Sequence, residues 1–579
     1  MSTPTKPAPL TKDLERPRSS GTMSSHAESL HNDNNKDTSK APLPNTQPSK
    51  DVDPAEAQYN PRSPAFWLII ASVYLSFFLV ALDRMIIATA IPAITNRFNS
   101  IEDIGWYGSA YMLTCAICNP LFGKIYQLYD TKWAFLISIV IFELGSALCG
   151  AAPSSVALIV GRAIAGIGAA GITSGAIMVI VPLVPLRKRP VYTSFFGMAF
   201  GVSSILGPVI GGTFTDSPHL TWRWAFYINL PIGAFTMLAV LFFLRLPPRP
   251  VEKLSLIAQL KRLDPLGLFF FAPSMVCLIL ALQWGGTAEP WSSPRIIALL
   301  VVFAVTFIAF LVVEWKMPET AMAPKRVVLN RSVGGSMLFT FLLSGGMMSA
   351  VYYITIWFQA AQGQSAMQSG IRTIPMVLSL VLFGIVTAVI TQKIGYYVPA
   401  MLISPVLASI GGGLLSTLTP SAGKGMWIGF QVLYGLGIGA GAQTANLAAQ
   451  TVLARSDVAL GTSMMFFVQQ LGGSVFLAVG QNIFARALVK RLAGIAGLDA
   501  QRIVATGATE LHKTVPPDAI DVVIDAYSYS LTRVFLLTAA LSAAMIIGAL
   551  MVEWRSIKGK GEASGDTKSD PEKGNQIAK

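Results

Sequence analysis

Long apolar runs alternate with short polar segments along most of this chain. A helix of about 20 residues is about 30 Å long, which matches the hydrocarbon core of a bilayer. The pattern therefore predicts an all-α membrane protein with 14 transmembrane helices. The predicted spans lie near residues 66–91, 105–126, 133–151, 155–183, 191–214, 225–244, 265–284, 296–315, 334–358, 370–391, 397–417, 426–451, 458–485 and 531–553.

The two ends of the chain differ from its middle in composition. Residues 1–62 and 555–579 are polar, and the first segment is rich in Pro, Ser, Asn and Lys. Such segments bury too little apolar surface to fold, so both tails are predicted to be disordered. The first apolar run begins near Ala65 and the first residues lack an apolar core, which predicts a retained first span and no cleaved signal peptide.

Composition and charge argue against a soluble protein and against a nucleic-acid partner. The 579 residues are 53% hydrophobic and 13% charged, whereas soluble domains carry about 25% charged residues. The net charge of +13 comes from Lys and Arg residues clustered between apolar runs. Because these clusters favour the loops on one side, both termini are predicted to be cytoplasmic and the long loop 486–530 external.

All four cysteines lie inside apolar runs, which indicates that they pack in the interior and form neither a disulfide nor a metal site.

Three charged residues stand out deep inside the apolar runs, namely Asp83, Glu143 and Arg162. The topology places all three roughly 10 to 14 Å below the outer surface, at 1.5 Å per helical residue. An acid that exchanges a proton beside an arginine that stays charged is the minimum required for proton-coupled movement. These residues are therefore candidates for proton coupling, and the alternative is that they only hold helices together.

No nucleotide site is predicted, so the energy source is expected to be a proton gradient, with no cofactor. Gly166, Gly168 and Gly171 have the spacing of a dinucleotide fingerprint, but they lie in mid-membrane and follow no strand. The Gly-rich phosphate cradle of ATP-binding proteins does not occur in the sequence.

Amides and aromatic residues in the later spans are candidates for a substrate cavity. Amide groups inside a bilayer need partners, and those that do not pair with a neighbouring helix can face a wet cavity. Pairing between helices and packing are the alternatives for each residue. The candidates are Gln359, Gln443, Asn446, Gln469, Tyr353 and Trp357.

Four short segments together carry a resemblance to a known family. They are residues 79–92, with Asp83, residues 162–168, the glycine-rich segment 207–212, and the aromatic segment 222–233. Over about 65–555 the chain resembles the major facilitator superfamily, and within it the fourteen-span drug:proton antiporters, particularly fungal toxin and multidrug efflux pumps.

This resemblance implies two six-helix bundles, 63–245 and 332–554, and a linker, 246–331, that contains the seventh and eighth helices. It also implies inverted repeats with the substrate near the midplane. Proton transfer would involve Arg162, and a set of positions that match the family's motifs would serve conformational change. That set is Gly123, Lys132, Gly207, Pro208, Gly211, Gly212, Trp222, Arg223, Asn229 and Pro231.

The sequence departs from the family pattern at three positions. In the loop after the second span, Gln127 replaces an acidic residue and Asp130 replaces a glycine, while Ser203 replaces the first glycine of the antiporter segment. Gln127 and Asp130 weaken the expectation of a conformational gate at that loop. Ser203 weakens the expectation that the protein is an exporter.

The expected function is proton-coupled efflux of amphipathic small molecules, such as toxic secondary metabolites or drugs, across the plasma membrane. The protein would be a multi-pass monomer whose partners are its small-molecule substrate and membrane lipid. The alternative is a transporter of the same fold for siderophores, basic amino acids or sugars, acting as an importer or in the vacuolar membrane. A membrane enzyme would show clustered His, Asp or Cys at the membrane surface, and a sensor would add a folded cytoplasmic domain.

Overall fold

The computed structural model of the chain describes residues 55–100, 103–217, 220–246, 255–286, 289–493, 503 and 515–558. Most of both predicted tails and the middle of the predicted loop 486–530 lie outside the described residues. Within the described ranges, helices are the only regular secondary structure apart from two isolated β-bridges.

Helices occupy the positions of all the predicted spans. The first eight are α1 (Pro64–Phe98), α2 (Ile104–Leu128), α3 (Thr131–Ala151), α4 (Ser155–Leu183), α5 (Arg189–Asp216), α6 (Asn229–Phe243), α7 (Pro265–Trp284) and α8 (Pro294–Lys316). The last six are α9 (Arg331–Gln362), α10 (Ile374–Ile394), α11 (Val398–Leu415), α12 (Lys424–Gly441), α13 (Val458–Leu492) and α14 (Ile520–Met551). Short helices precede α6 (Trp224–Tyr227) and α10 (Ala366–Arg372), and one follows α12 (Thr444–Val452).

The number of membrane crossings is supported for most of these helices. In the described part of the chain, 12 helices are long and apolar enough to cross a membrane. Helices α2 and α12 are not among them, because α2 carries several polar side chains and α12 is interrupted after Gly441. The prediction of an all-α, multi-pass architecture is confirmed, and the total of 14 crossings stays a prediction.

Local chemistry explains where several helices begin and end. The side chain of Asp130 accepts hydrogen bonds from the first backbone amides of α3, and Asn330 does the same for α9. Helices α9 and α10 each end on a glycine in the left-handed region, Gly363 with φ 60° and Gly395 with φ 87°.

The helices pack in two groups that repeat the same pattern. In the first group, α1 packs on α5 and α6, while α4 packs on α2 and α3. In the second group, α9 packs on α13 and α14, while α12 packs on α10 and α11. Each pair in the first group thus recurs in the second with its helix numbers increased by eight. The groups meet where α2 packs on α13 and α5 packs on α10, and the helix pair α7–α8 lies beside α2 and α13.

Several helix boundaries differ from the sequence-based expectations. Helix α13 continues to Leu492 and α14 begins at Ile520, so helix extends into both ends of the predicted loop 486–530. Val523 and Tyr527 are buried on one face of α14, which gives this extension an apolar surface to pack. Near the N-terminus, the side-chain hydroxyl of Tyr59, within the predicted tail, lies 3.3 Å from Tyr192 Oη.

Glycines in the second group allow close approach of helix backbones. A methyl group at Gly437 of α12 would overlap the backbone of Ala408 in α11, whereas one at Gly429 of the same helix would meet no atom within 4 Å. Gly437→Ala is therefore expected to force α11 and α12 apart and to cost about 1–3 kcal/mol. The matched variant Gly429→Ala is expected to match or exceed the wild type, since Ala is the better helix former. Thermal unfolding of the detergent-solubilised protein measures both, and equal melting temperatures would contradict the packing argument.

Candidate functional site

A buried ion pair joins α1 to α4 in the first group of helices. Arg162 Nη1 donates a hydrogen bond to Asp83 Oδ2 at 2.5 Å. The Asp83 side chain is 0% exposed and the Arg162 side chain 1%. The structure thus brings together two residues that the sequence placed in one layer of the membrane. Removing either partner would leave an uncompensated buried charge.

Polar groups from three further helices hold this pair. Asn229 of α6 donates from Nδ2 to Asp83 Oδ1 at 3.3 Å and to Ser146 Oγ of α3 at 3.2 Å. Arg162 Nε donates to the backbone oxygen of Tyr107 in α2 at 2.9 Å. Five helices therefore meet at one buried network. Asn229, which the sequence placed only among the conformational positions, is a direct partner of Asp83.

The ring of Tyr111 lies against the guanidinium of Arg162. The distance from Arg162 Cζ to the ring centroid is 4.4 Å, which is within the range of a cation–π interaction. A second arginine, Arg84, faces the same ring at 5.8 Å. Sequence reasoning missed Arg84 and Tyr111, although Arg84 directly follows Asp83 in the same apolar run.

Glu143 does not join the ion pair through any described hydrogen bond. Both of its carboxyl oxygens are buried and have no hydrogen-bond partner among the described residues. Its carboxyl group lies against Gly233 of α6, where an added methyl group would overlap it. A role of Glu143 in proton coupling stays a prediction.

The glycine-rich segment of α5 lies against α1. Methyl groups at Gly207 and Gly211 would overlap Met85 and Thr89 of α1, respectively, so these glycines permit close packing of the two helices. A methyl group at Gly212 would meet no described atom within 4 Å, and Pro208 lies inside the helix. Two of the four predicted positions therefore form the contact between α1 and α5.

The aromatic segment before α6 closes one end of the first group. Trp222 packs edge-on against Phe98 with ring centroids 5.8 Å apart. Arg223 Nη1 donates to the backbone oxygen of Gly150 at 2.7 Å. Pro231 lies in the first turn of α6, a position that tolerates proline. The segment thus ties α6 to the ends of α1 and α3.

A polar contact links the two groups of helices at the end of α2. Gln127 Nε2 donates to Asp457 Oδ1 at 3.0 Å, and Arg326 forms two hydrogen bonds to the same carboxylate, at 2.8 and 2.9 Å. The hydrogen bond to Asp457 raises the pKa of the Arg326 guanidinium above its ordinary value. Gln127, Arg326 and Asp457 form the Asp457 cluster.

The neighbouring positions of the predicted conformational set lie beside this cluster. Gly123 of α2 allows Ser463 of α13 to approach closely, because a methyl group at Gly123 would overlap the Ser463 side chain. Lys132 Nζ donates to the backbone oxygen of Leu241 at 2.7 Å, so this hydrogen bond ties α3 to α6, within the first group.

The predicted cavity residues are spread over the second group. Trp357 is 0% exposed and donates from Nε1 to Ser528 Oγ of α14 at 3.0 Å. Tyr353 donates from its hydroxyl to the backbone oxygen of Leu477 in α13 at 3.2 Å. Gln359 is partly buried. These contacts lie within the second group of helices, and a role in substrate binding stays a prediction.

The other three predicted amides lie on α13 and around the break after α12. Gln443 is in that break and lines a cavity of about 20 Å³ with Pro190 of α5. Asn446 is buried, and its Oδ1 has no hydrogen-bond partner in the described part of the chain. The side chain of Gln469 is partly buried, while its backbone oxygen accepts a hydrogen bond from Ser344 at 2.6 Å.

An apolar cavity lies between the two groups of helices. Its volume is about 70 Å³. Four methionines contribute to its lining, and methionine side chains adapt readily to different apolar shapes. They are Met85 of α1, Met347 and Met348 of α9, and Met376 of α10. Sequence reasoning did not find this cavity, because its lining comes from helices that are far apart in the chain.

A fold of two similar six-helix groups, with a buried ion pair inside the first group and a cavity between the groups, is that of a membrane transporter. The described residues contain no group of three or more His, Cys, Asp or Glu side chains that could hold a metal ion. A family model described as the Major Facilitator Superfamily matches residues 73–477. The chain belongs to this family, which confirms the predicted family and the prediction of a transporter, not an enzyme.

The curated relatives are fungal transporters. The chain is 50% identical over 495 residues to "MFS-type efflux pump MFS1" of Arthroderma benhamiae, covering 85% of this chain and 92% of the relative. It is 45% identical over 507 residues to "Efflux pump aflT" of Aspergillus parasiticus, covering 87% and 98%. "MFS-type transporter astH" of Aspergillus oryzae is 44% identical over 527 residues, covering 91% and 93%. These relatives support an efflux role.

Solved structures support the fold. The human organic anion transporter MFSD10 aligns with a TM-score of 0.52 at 17% identity, covering 83% of this chain and 100% of that chain. A bacterial homolog of the human lysosomal transporter Spinster aligns with a TM-score of 0.52 at 16% identity, covering 84% and 97%. At this level of identity, the comparison concerns the fold alone.

The buried ion pair generates a stability prediction. Arg162→Gln leaves the Asp83 carboxylate without its cation and is expected to destabilise the protein by about 3–5 kcal/mol. The double variant Asp83→Asn/Arg162→Gln is expected to recover part of this loss, because no charge is then left buried alone. Thermal unfolding in detergent measures both of these variants and the single variant Asp83→Asn, which completes the cycle. Glu289→Gln is the control, since its partner Arg295 is 79% exposed and exposed pairs contribute at most about 1 kcal/mol.

The interpretation would be contradicted if the stability losses of the two single variants simply add up in the double variant. If the double variant loses as much stability as the sum of the two single variants, Asp83 and Arg162 contribute independently and the ion pair is not the source of the coupling.

The Asp457 cluster generates a prediction about contact between the groups. Gln127→Glu places a second carboxylate against Asp457 and is expected to weaken this contact through like-charge repulsion. The readout is the rate at which a maleimide labels Ser463→Cys in a background without the four native cysteines. Ser463 is fully buried where α13 crosses α2, so its labelling requires the two helices to separate. We expect a severalfold faster rate. Gln259→Glu is the matched control, because Tyr129 Oη can still donate to it; an equal increase there would contradict a local effect.

Proposed function

We propose that this protein exports amphipathic small molecules from the cytosol across the plasma membrane in exchange for protons. The observation that carries the proposal is the ion pair of Asp83 and Arg162, which is buried at a meeting point of five helices. The names of the relatives, which include efflux pumps, support the direction of transport.

Asp83 is the proposed proton carrier. When it binds a proton it loses its charge, and its attraction to the permanently charged Arg162 falls. Arg162 retains its hydrogen bond to the Tyr107 backbone oxygen and its contact with the Tyr111 ring. Proton binding therefore loosens α1 from α4 while α4 stays attached to α2.

A change at α1 has a direct route to the contact between the two groups. Helix α5 packs closely on α1 at Gly207 and Gly211, and the same α5 packs on α10 of the second group. A shift of α1 relative to α4 would move α5 and thereby the apolar cavity between the groups. Helices with small residues at their contacts are suited to such relative movement.

Several charged and titratable groups surround Asp83. They are Arg84 on α1, Tyr107 and Tyr111 on α2, Glu143 and Cys149 on α3, and Arg162 on α4. Helix α6 contributes the neutral Asn229. Arg162 is the one that makes an ion pair with Asp83 in the described structure.

The Asp457 cluster is the proposed cytoplasmic closure. Its residues lie near the loops that the distribution of Lys and Arg assigns to the cytoplasm. Opening this side would give substrate access to the apolar cavity from the cytosol, and closing it would commit the substrate to export. We further propose that the protein acts as a monomer, with both termini cytoplasmic, and uses the proton gradient without a cofactor.

Transport in proteoliposomes tests the proposal. With an imposed pH gradient, the wild type is expected to accumulate a neutral amphipathic probe, 4-nitroquinoline N-oxide. Asp83→Asn, which has nearly the same shape but carries no exchangeable charge, is expected to lose this gradient-driven accumulation. It is expected to keep exchange of labelled for unlabelled probe, because the amide resembles the protonated acid in shape and charge.

Two controls make the result decisive. Glu289→Gln removes a carboxylate from the solvent-exposed ion pair with Arg295, and this variant is expected to transport like the wild type. Undiminished gradient-driven accumulation in Asp83→Asn would remove Asp83 from the mechanism. Loss of both accumulation and exchange would indicate that the residue is required for structure and not for coupling.

A further inference from the structure

Arg84 carries a partly buried charge that no described contact neutralises. Its Nε and Nη2 atoms are buried and have no hydrogen-bond partner among the described residues. The described residues also provide no salt bridge to Arg84, whereas the adjacent Asp83 is engaged by Arg162. Its described contact is the weak one to the Tyr111 ring at 5.8 Å. A guanidinium in this state inside a membrane protein is costly unless an anion completes it.

The position of Arg84 on α1 directs it toward the interior of the protein. Asp83 points toward α4 and α6, and each helical residue turns about 100°. Arg84 therefore lies between the direction of Asp83 and that of Met85, which lines the apolar cavity between the two groups, so Arg84 is beside this cavity and not in its lining. No residue with a described side chain between Ser72 and Thr95 is exposed on α1, and Arg84 is partly buried there.

Two guanidiniums but one hydrogen-bonded carboxylate lie around the Tyr111 ring. Two guanidiniums, those of Arg84 and Arg162, face the ring of Tyr111, and Asp83 is the carboxylate that is hydrogen-bonded to one of them. Glu143 does not offset the excess through any described contact, because its carboxyl group lies against Gly233 and has no hydrogen-bond partner among the described residues. Among the described contacts, the guanidinium of Arg84 therefore has no carboxylate partner and can take one from a ligand.

We propose that Arg84 binds the carboxylate or phenolate of an acidic aromatic substrate, whose apolar part enters the methionine-lined cavity. A guanidinium presents parallel donors that match a carboxylate in a bidentate geometry. The lining residues Met85, Met347, Met348 and Met376 have flexible side chains that can enlarge the cavity around an aromatic ring. This inference rests on the proposed function, because it names the substrate class of the same transport site.

A matched pair of probes tests this preference. The purified full-length protein in lipid nanodiscs is dialysed at about pH 7.5 against 2-naphthoate or 2-naphthalenemethanol, which differ mainly in charge, and empty nanodiscs correct for partition into lipid. The wild type is expected to bind the acid at least about tenfold more tightly than the alcohol. Arg84→Gln is expected to abolish that preference while it leaves the affinity for the alcohol within about twofold.

Two variants separate recognition from structure. Arg97→Gln removes an exposed arginine from the end of the same helix and is expected to keep the full preference. Arg84→Lys keeps the charge without the planar donor fork and is expected to retain part of it. Arg84→Lys also serves as the test variant if Arg84→Gln does not fold.

Three outcomes would overturn the inference. They are equal binding of both probes by the wild type, an unchanged preference in Arg84→Gln, and an equal loss of affinity for both probes in that variant. The test is independent of proton coupling. A preference that depends on Arg84, found together with undiminished gradient-driven transport in Asp83→Asn, would refute the proposed coupling alone.

Discussion

The architecture depends on one constraint, which is that a charged pair taken out of water must be fully surrounded by suitable partners. Asp83 and Arg162 are both buried, and their hydrogen-bonding groups are shared with Asn229 and the Tyr107 backbone. Each of these partners comes from a different helix. The requirement to satisfy the pair therefore fixes how α1, α2, α4 and α6 sit against one another, and Ser146 extends the network to α3.

Close helix packing connects this network to the rest of the molecule. Gly207 and Gly211 let α5 approach α1, and α5 is one of the helices that touch the second group. The corresponding contact in the second group is that of α9 with α13, and α13 packs on α2. The two crossings, α5 with α10 and α2 with α13, are thus equivalent by the internal repeat. At both crossings a glycine faces a side chain of the other group, Gly201 of α5 facing Val381 of α10 and Gly123 of α2 facing Ser463 of α13.

The departures from the family pattern near α2 have a structural explanation. Gln127 occupies a position where the family usually has an acid, and it donates a hydrogen bond to Asp457, an acid in the other group. Arg326 completes the contact from the segment before α9. Gln127 can donate to the Asp457 carboxylate, which a carboxylate at position 127 could not do, so a hydrogen-bonded connection between the groups is present. A pattern defined by residue identity does not reveal this contact, because the partner lies 330 positions away in the sequence.

The sequence alone determined the elements, because hydrophobic runs of membrane-spanning length and helix-capping residues act locally. It also indicated Asp83 and Arg162, since charges inside apolar runs are rare and costly. Only the tertiary structure decided which groups meet. It paired Asn229 with Asp83, left the carboxyl of Glu143 and two nitrogens of Arg84 without a hydrogen-bond partner among the described residues, and formed the methionine-lined cavity between the two groups. The physical reason is that hydrogen bonding and burial depend on the rotation and depth of each helix against its neighbours, which periodicity within a single helix does not specify.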